Sequence, residues 1–116
     1  MNLSEITIVP VKNIEKYIKN PNLLQIFSDR EIKYCSKFKD SSIHFAGKLA
    51  AKKSSIKLLK KISKENYLLR DIEIINLPSG KPLVHFKNPK KNKNIKISLS
   101  ISHTKDIAIS LCIANV

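Results

Sequence analysis

The sequence contains little glycine, little cysteine and little acid, and it has no tryptophan and no long apolar run. Only two of its 116 residues are glycine and 42% are hydrophobic, a composition that excludes a disordered chain. No apolar stretch approaches the roughly 18 residues of a membrane-spanning helix. The amino-terminal MNLSEITIVP lacks a basic stretch followed by a long apolar one. We therefore predict a cytoplasmic protein without a secretion signal.

The two cysteines, Cys35 and Cys112, are isolated in the sequence. Neither belongs to a CxxC or Cys/His pattern with ligand spacing, which argues against a zinc site. A disulfide between the two is the alternative, but two buried thiols in a cytosolic protein fit the pattern better.

The charge is strongly basic, with 22 lysines and arginines against nine acidic residues and a net charge of +13. Such a field attracts polyanions: nucleic acid, a phosphate-bearing cofactor or an acidic protein. The lysine-, asparagine- and isoleucine-rich composition that an AT-rich genome produces is the competing explanation. A basic nucleic-acid-binding domain is disfavoured because arginine is limited to Arg30 and Arg70 and only three tyrosines and four phenylalanines are present.

The first half of the chain has helical periodicity after a short opening strand. Ser28, followed three residues later by Glu31, is a capping box that opens one helix. The predicted elements are a strand over Ile6–Val11, a short helix carrying Val11, Ile14, Tyr17 and Ile18, a helix from Ser28 to about Phe38, and a long helix over about Ser41–Ile62.

After the long helix the apolar period changes to two, which is typical of strands. The predicted strands are Asp71–Asn76, Pro82–Phe86, Ile95–Ser102 and Asp106–Ala114, with an exposed basic loop over Lys87–Asn94. Helices first and antiparallel strands second predict a single α+β domain over residues 1–116. In it, one long helix packs on an antiparallel sheet made by these four strands.

The long helix carries lysines where it should pack. At about 100° per residue, Phe45, Leu49 and Ile56 lie on one face, Lys52 lies inside that face and Lys53 lies on its flank. A single lysine in such a place usually packs its stem and extends its ammonium to solvent. Several neighbouring lysines repel one another, so a bound phosphate or pyrophosphate is the better explanation.

His103 and Thr104 lie in the turn between the last two predicted strands, next to Lys105. A histidine in a turn is by default a surface residue. Together with the preceding serines and the adjacent lysine, however, these residues form a group of hydrogen-bond donors that suits a phosphate.

Several segments in order resemble the holo-acyl-carrier-protein synthases, the small trimeric 4′-phosphopantetheinyl transferases. FAGKLAAKKSSIKLL is similar to the FAGRFAAKEAFSKAL helix of that family, and FSDREIKYC, DIEI, SGKP and SISHTKDIA match further segments. The resemblance implies an α+β 4′-phosphopantetheinyl transferase-like fold and a homotrimer with active sites between protomers. It also implies transfer of 4′-phosphopantetheine from coenzyme A to a serine of an acidic acyl carrier protein.

The resemblance also implies functional residues. Lys52 would contact the phosphates and assist proton transfer, and Lys53 would replace the charge of a metal ion. The predicted coenzyme A-binding residues are Lys48, Lys57, Lys81, Pro82, His103 and Thr104.

The chain departs from the family at the magnesium ligands. Lys53 occupies the position of a metal-binding glutamate, and Thr7 aligns with a metal-binding aspartate, although Glu5 lies nearby. The family's glycine-rich turn is replaced by LLKKISKENY. Magnesium needs oxygen ligands, so we assign no metal ligand. Two interpretations remain: a metal-independent coenzyme A site, or a catalytically degenerate member that acts as a carrier-protein-binding or structural subunit.

Overall fold

The computed structural model describes residues 2–19, 23–63, 65–87 and 95–115. The helices are α1 (Val11–Ile18), α2 (Leu23–Ile26), α3 (Asp29–Ser36) and α4 (Ser41–Ser63), with a 3₁₀ turn at Leu69–Asp71. The strands are β1 (Asn2–Pro10), β2 (Ile72–Asn76), β3 (Pro82–Phe86), β4 (Ile97–His103) and β5 (Ile107–Asn115). The predicted α+β class is confirmed, and most of the predicted loop Lys87–Asn94 lies outside the described residues.

The strands form two antiparallel sheets, not one. Strands β1, β5 and β4 form a three-stranded sheet in the order β1-β5-β4, and β2 pairs with β3 in a separate hairpin. The predicted single sheet of the last four strands is therefore wrong. The prediction failed because strand pairing depends on long-range packing: β1, which it left outside the sheet, pairs with β5 along its whole length, from Asn2 opposite Asn115 to Pro10 opposite Ile107, and β2 pairs with β3 in a hairpin of its own. The opening strand is thus longer than predicted and belongs to the main sheet.

Helix α4 packs across the three-stranded sheet, where β4 and β5 present different side chains to it. From β4, the apolar residues Ile97, Leu99 and Ile101 pack toward the core. From β5, the buried side chains are the small residues Ala108, Ser110, Cys112 and Ala114. Small residues let the helix lie close to the sheet. Gly47 has the same effect at the other surface, because a Cβ there would lie 3.0 Å from Cγ2 of Ile101.

A buried ion pair links α3 to α4. Nζ of Lys52 lies 2.6 Å from Oε1 of Glu31, and both side chains are fully buried. Lys52 also donates to the carbonyls of Ile26 and Leu69, at 2.6 and 3.1 Å. The other carboxylate oxygen of Glu31 accepts from the backbone N–H of Ile74 at 2.8 Å. The pair therefore connects α3 and α4 with the segments before α3 and β2.

The predicted capping box supplies the remaining bonds of this carboxylate. The Ser28 backbone N–H donates to Oε1 of Glu31 at 2.8 Å, and the Ser28 hydroxyl accepts from the Glu31 N–H at 3.2 Å. Burial lowers the pKa of Lys52, and the charge of Glu31 opposes that shift. Both cysteines are free and buried, as predicted, and burial raises the pKa of Cys35 to about 12.

We expect Lys52→Met to destabilise the fold by about 3–5 kcal/mol, because it leaves the Glu31 carboxylate buried without its counter-charge. Lys53→Met is the matched control. Its side chain is exposed, and its loss should change stability by less than about 0.5 kcal/mol. Urea unfolding of both variants measures the difference, and equal midpoints and slopes would contradict a structural role for the ion pair.

Candidate functional site

A cavity of about 210 Å³ opens between the first half of α4 and the β2–β3 hairpin. Its lining comes from α3, from two turns of α4, from the hairpin turn and from the end of β4. The lining residues are Tyr34, Ile43, His44, Gly47, Lys48, Asn76, Gly80, Pro82, Ile101 and His103. These described lining residues include three basic side chains and no carboxylate, so the cavity is suited to an anion.

Lys48 forms the charged floor of the cavity. Its Nζ donates to the carbonyl of Ile74 at 2.7 Å and to Oδ1 of Asn76 at 2.6 Å, and it lies 4.6 Å from the centroid of the Tyr34 ring. The side chain is almost completely buried, and this burial lowers the pKa of Lys48. Its hydrogen bonds attach α4 to the end of β2, so the charge has a fixed position.

The hairpin turn beside Lys48 is held in one conformation. Nδ2 of Asn76 donates to the carbonyl of Gly80 at 3.1 Å. Gly80 has a φ of +93°, a value that favours glycine over every residue with a Cβ. The turn places Pro82 in the cavity lining, and Lys81, which precedes it in the chain, is exposed.

Two histidines in the cavity lining pack against each other edge-on. The ring centroids of His44 and His103 are 5.7 Å apart. His44 stacks on Phe38, with centroids 3.7 Å apart and an interplanar angle of 18°. Burial lowers the pKa of His44, the charges of His103 and Lys48 lower it further, and Asp40 opposes them.

Thr104 follows His103 and closes the turn into β5. Its backbone N–H donates to the carbonyl of Ile107 at 2.9 Å. Its hydroxyl oxygen accepts from the N–H groups of Asp106 and Ile107, at 3.1 and 3.2 Å. The turn therefore fixes the hydroxyl, whose proton can be donated to a ligand at the exposed rim.

The structure separates the predicted site residues into three groups. Lys48, Pro82 and His103 line the cavity, with Lys81 and Thr104 adjacent to it in the chain. Lys53 and Lys57 lie one turn apart on the exposed side of α4. Lys52 lies in the core, where Glu31 and two carbonyls occupy its ammonium group. The structure does not support the predicted phosphate contact of Lys52, because that contact would break a buried ion pair.

Three of the lining residues that were not predicted from the sequence have polar side chains: Tyr34, His44 and Asn76. His44 could have been found, because it lies four residues before Lys48 and therefore on the same helix face. Asn76 could not, because its contact with Lys48 spans 28 residues and depends on how the hairpin docks.

The residues at the expected magnesium positions do not fit that ion. Thr7 is buried, and its Oγ1 has no hydrogen-bond partner. Lys53 presents an ammonium group, and the carboxylate of Glu5 lies 2.6 Å from Nζ of Lys61. Throughout residues 2–19, 23–63, 65–87 and 95–115, no group of three or more His, Cys, Asp and Glu side chains could hold a metal. In the same ranges, no helix is long and apolar enough to cross a membrane.

No family model matches the chain. Its relatives in sequence and the solved structures that resemble it nevertheless indicate one family. It is 40% identical over 114 residues to the holo-[acyl-carrier-protein] synthase of Clostridium tetani, covering 93% of this chain and 88% of that protein. It is 36% identical over 114 residues to the protein of the same name from Borrelia turicatae, covering 91% of each.

Solved structures show the same relationship. The Helicobacter pylori holo-[acyl-carrier-protein] synthase in complex with coenzyme A matches with a TM-score of 0.79 and 34% identity, covering 97% of this chain and 100% of that one. An ACPS–CoA complex from Chronobacterium ammoniagenes has a TM-score of 0.84 at 20% identity, covering 99% and 97% of the two chains. The second match supports the fold alone.

We expect the free protein to lose stability as the pH falls through 6.5, and His44→Phe to lose less. The folded pKa of His44 lies below its ordinary value of 6.5, so the unfolded chain binds more protons in this range. The contribution of His44 is therefore fully present above pH 6.5 and decreases below it. Phenylalanine preserves the stacking on Phe38 and removes the titrating group.

Urea unfolding of both proteins at pH 5.5 and 7.5 measures this effect. Glu73 does not interfere, because its pKa lies below 4.5: burial would raise that pKa, but the Ser28 hydrogen bond and the Arg30 charge lower it. The same pH dependence in both proteins would contradict the assignment.

Proposed function

The chain belongs to the holo-[acyl-carrier-protein] synthase family of 4′-phosphopantetheinyl transferases, and we infer that it transfers 4′-phosphopantetheine from coenzyme A to a serine of an acyl carrier protein. The observation that carries this function is the 40% identity over 93% of the chain with a synthase of that name. The match also extends over 88% of the relative, so it includes the whole fold and not one motif. We propose that residues 1–116 act as a single domain.

We propose that coenzyme A binds at the cavity above Lys48. The buried ammonium supplies a fixed positive charge, and His103 and Thr104 supply hydrogen-bond donors to a phosphate. Pro82 offers an apolar surface, and Lys81 adds an exposed charge beside it. These residues support a ligand that combines phosphate groups with a flat base, as coenzyme A does.

Lys53 and Lys57 supply a second set of charges for the coenzyme. They lie one turn apart on the exposed side of α4, where a pyrophosphate can approach both ammonium groups from solvent. Of the two lysines predicted to be catalytic, we therefore keep Lys53, as the cation beside the leaving phosphate. Lys52 is assigned to the support of α4 through Glu31.

We propose that the site works without a bound magnesium ion. An ammonium at residue 53 repels a divalent cation, and the hydroxyl of Thr7 is a poor substitute for a carboxylate ligand. Lys53 would supply part of the charge that the ion supplies in other members. As a point charge it orients a phosphate less precisely than a bridging ion does.

We propose a homotrimer with its active sites between protomers. The face of the main sheet away from α4 exposes a contiguous apolar strip in which Ile6 pairs with Leu111 and Ile8 with Ile109. Ile6 and Ile8 are 59% and 56% exposed, and Ile113 beside them is 40% exposed. Apolar strips of this kind are usually covered by a partner, and the same strip on three copies can pack together around a three-fold axis.

We propose an acidic acyl carrier protein as the partner. The net charge of +13 favours its approach through long-range attraction, an effect that salt weakens. The two buried free thiols are consistent with a cytoplasmic location, where thiols stay reduced.

We expect the purified protein to convert apo acyl carrier protein to its holo form at the same rate in magnesium and in chelator. Mass spectrometry of the carrier protein follows the gain of the phosphopantetheine arm after incubation with coenzyme A. The Lys53→Glu variant is the control, since it should acquire magnesium dependence only if a second acidic ligand lies within reach.

A large gain in rate on addition of magnesium would contradict the metal-independent site. It would indicate that another carboxylate, such as Glu5 or Asp106, binds the ion. A wild-type protein that neither modifies a carrier protein nor binds coenzyme A would instead support the degenerate subunit, an alternative that the ammonium of Lys53 favours.

We expect Ile8→Lys to convert the trimer to monomers and to reduce transferase activity strongly, because each site would lose its second protomer. Leu68→Lys is the matched control, since Leu68 is 54% exposed but lies outside the apolar strip. Light scattering during gel filtration measures the mass. A wild-type protein that is monomeric at micromolar concentration would contradict the trimer.

A further inference from the structure

We propose that His44 is a second phosphate-binding histidine of this cavity, and that it acts with His103 so that coenzyme binding takes up a proton near neutral pH. The inference rests on the proposed function, since it assigns a further residue to the same coenzyme site. The two rings lie 5.7 Å apart, and both line the cavity above Lys48. A phosphate carries several acceptor oxygens, so one group can accept a hydrogen bond from each imidazole.

The orientation of His44 is fixed before any ligand arrives. Its ring stacks on Phe38 at 3.7 Å, and the Tyr34 ring meets it edge-on with centroids 6.4 Å apart. A ring held between two aromatic side chains has little rotamer freedom to lose on binding. His44 is therefore built as part of a site and is not a loose surface side chain.

Burial and the charges around His44 lower its pKa below the ordinary value and so disfavour its charged form. His103 reaches it from β4, Lys48 lies one turn along α4 and Tyr34 faces it from α3. Asp40, just before α4, acts in the opposite direction, but burial and the two bases outweigh its effect. A bound phosphate reverses this balance because it adds negative charge at the centre of the cluster.

The change in the pKa of one histidine sets the size of the pH dependence of coenzyme binding. If the phosphate raises the pKa of one histidine by about one unit, binding becomes about tenfold tighter at a pH below that range than above it. The number of protons taken up is then greatest between the pKa values of the histidine in the free and in the bound protein. The phosphate monoester of the coenzyme titrates in a similar range, so the difference between wild type and variant is the quantity to measure.

Calorimetric titration of coenzyme A tests the proposal at pH 6.5 and 8.5, in pairs of buffers with different ionisation enthalpies. Wild type should take up protons at pH 6.5 and bind more tightly there than at pH 8.5, and the full tenfold difference is reached only below the pKa of His44 in the free protein. His44→Phe should lose most of the proton uptake and most of the difference in affinity between the two pH values. His85→Gln, which removes the exposed histidine 3.4 Å from Glu73 outside the cavity lining, should behave like wild type.

Dephospho-coenzyme A identifies the phosphate that is bound. Loss of proton uptake with this ligand assigns the cluster to the terminal phosphate monoester, and unchanged uptake assigns it to the pyrophosphate. The proposal is overturned if His44→Phe retains the uptake and the tighter binding of wild type.

A failure of the proposed function has a different signature, since wild type would then bind no coenzyme A at either pH. Proton NMR of the histidine rings with inorganic phosphate tests His44 even in that case. The pKa of His44 should rise as phosphate is added, and an unchanged value overturns the proposal.

Discussion

The ion pair between Glu31 and Lys52 is the interaction on which the rest of the structure depends. Two buried charges are stable only when hydrogen bonds satisfy their remaining donors and acceptors. Here the partners are backbone groups of Ile26, Ser28, Leu69 and Ile74. The Glu31 carboxylate is one half of the capping box that begins α3, and the Lys52 ammonium holds the middle of α4 in place. Because Lys48 lies one turn before Lys52, its charge is held at the cavity floor by the same constraint.

Helix α4 thus carries its lysines in two different roles. Lys48 and Lys52 point inward and bond to carbonyls and to one carboxylate, whereas Lys53 and Lys57 remain in solvent. Adjacent lysines on a helix differ by about 100° in direction, so neighbours in the sequence need not share an environment. The repulsion expected among these cations is reduced for Lys48 and Lys52 by their hydrogen-bond and ion-pair partners, and for Lys53 and Lys57 by solvent. The position of Lys52 therefore requires no bound ligand.

Local patterns predicted much of the fold and part of the site. The capping box at Ser28, the helix from Ser41 and the alternation in the last two strands are local signals, and all three appear in the structure. Which strands pair depends on long-range packing, so the partnership of β1 with β5 was missed. The buried partner of Lys52 was missed for the same reason, because Glu31 lies 21 positions away along the chain and carries no sign of its burial.

Neither face of strand β5 can accommodate the side chains of its other face. Alanine, serine and cysteine lie beneath α4, while isoleucine and leucine occupy the opposite side. A slip of one residue in its pairing with β1 would press branched side chains against the helix, where Gly47 and the small residues leave no room for them. It would also place polar serine where the apolar strip needs isoleucine. Both faces therefore favour the correct register of the central strand during folding, because a misaligned sheet is destabilised on both sides.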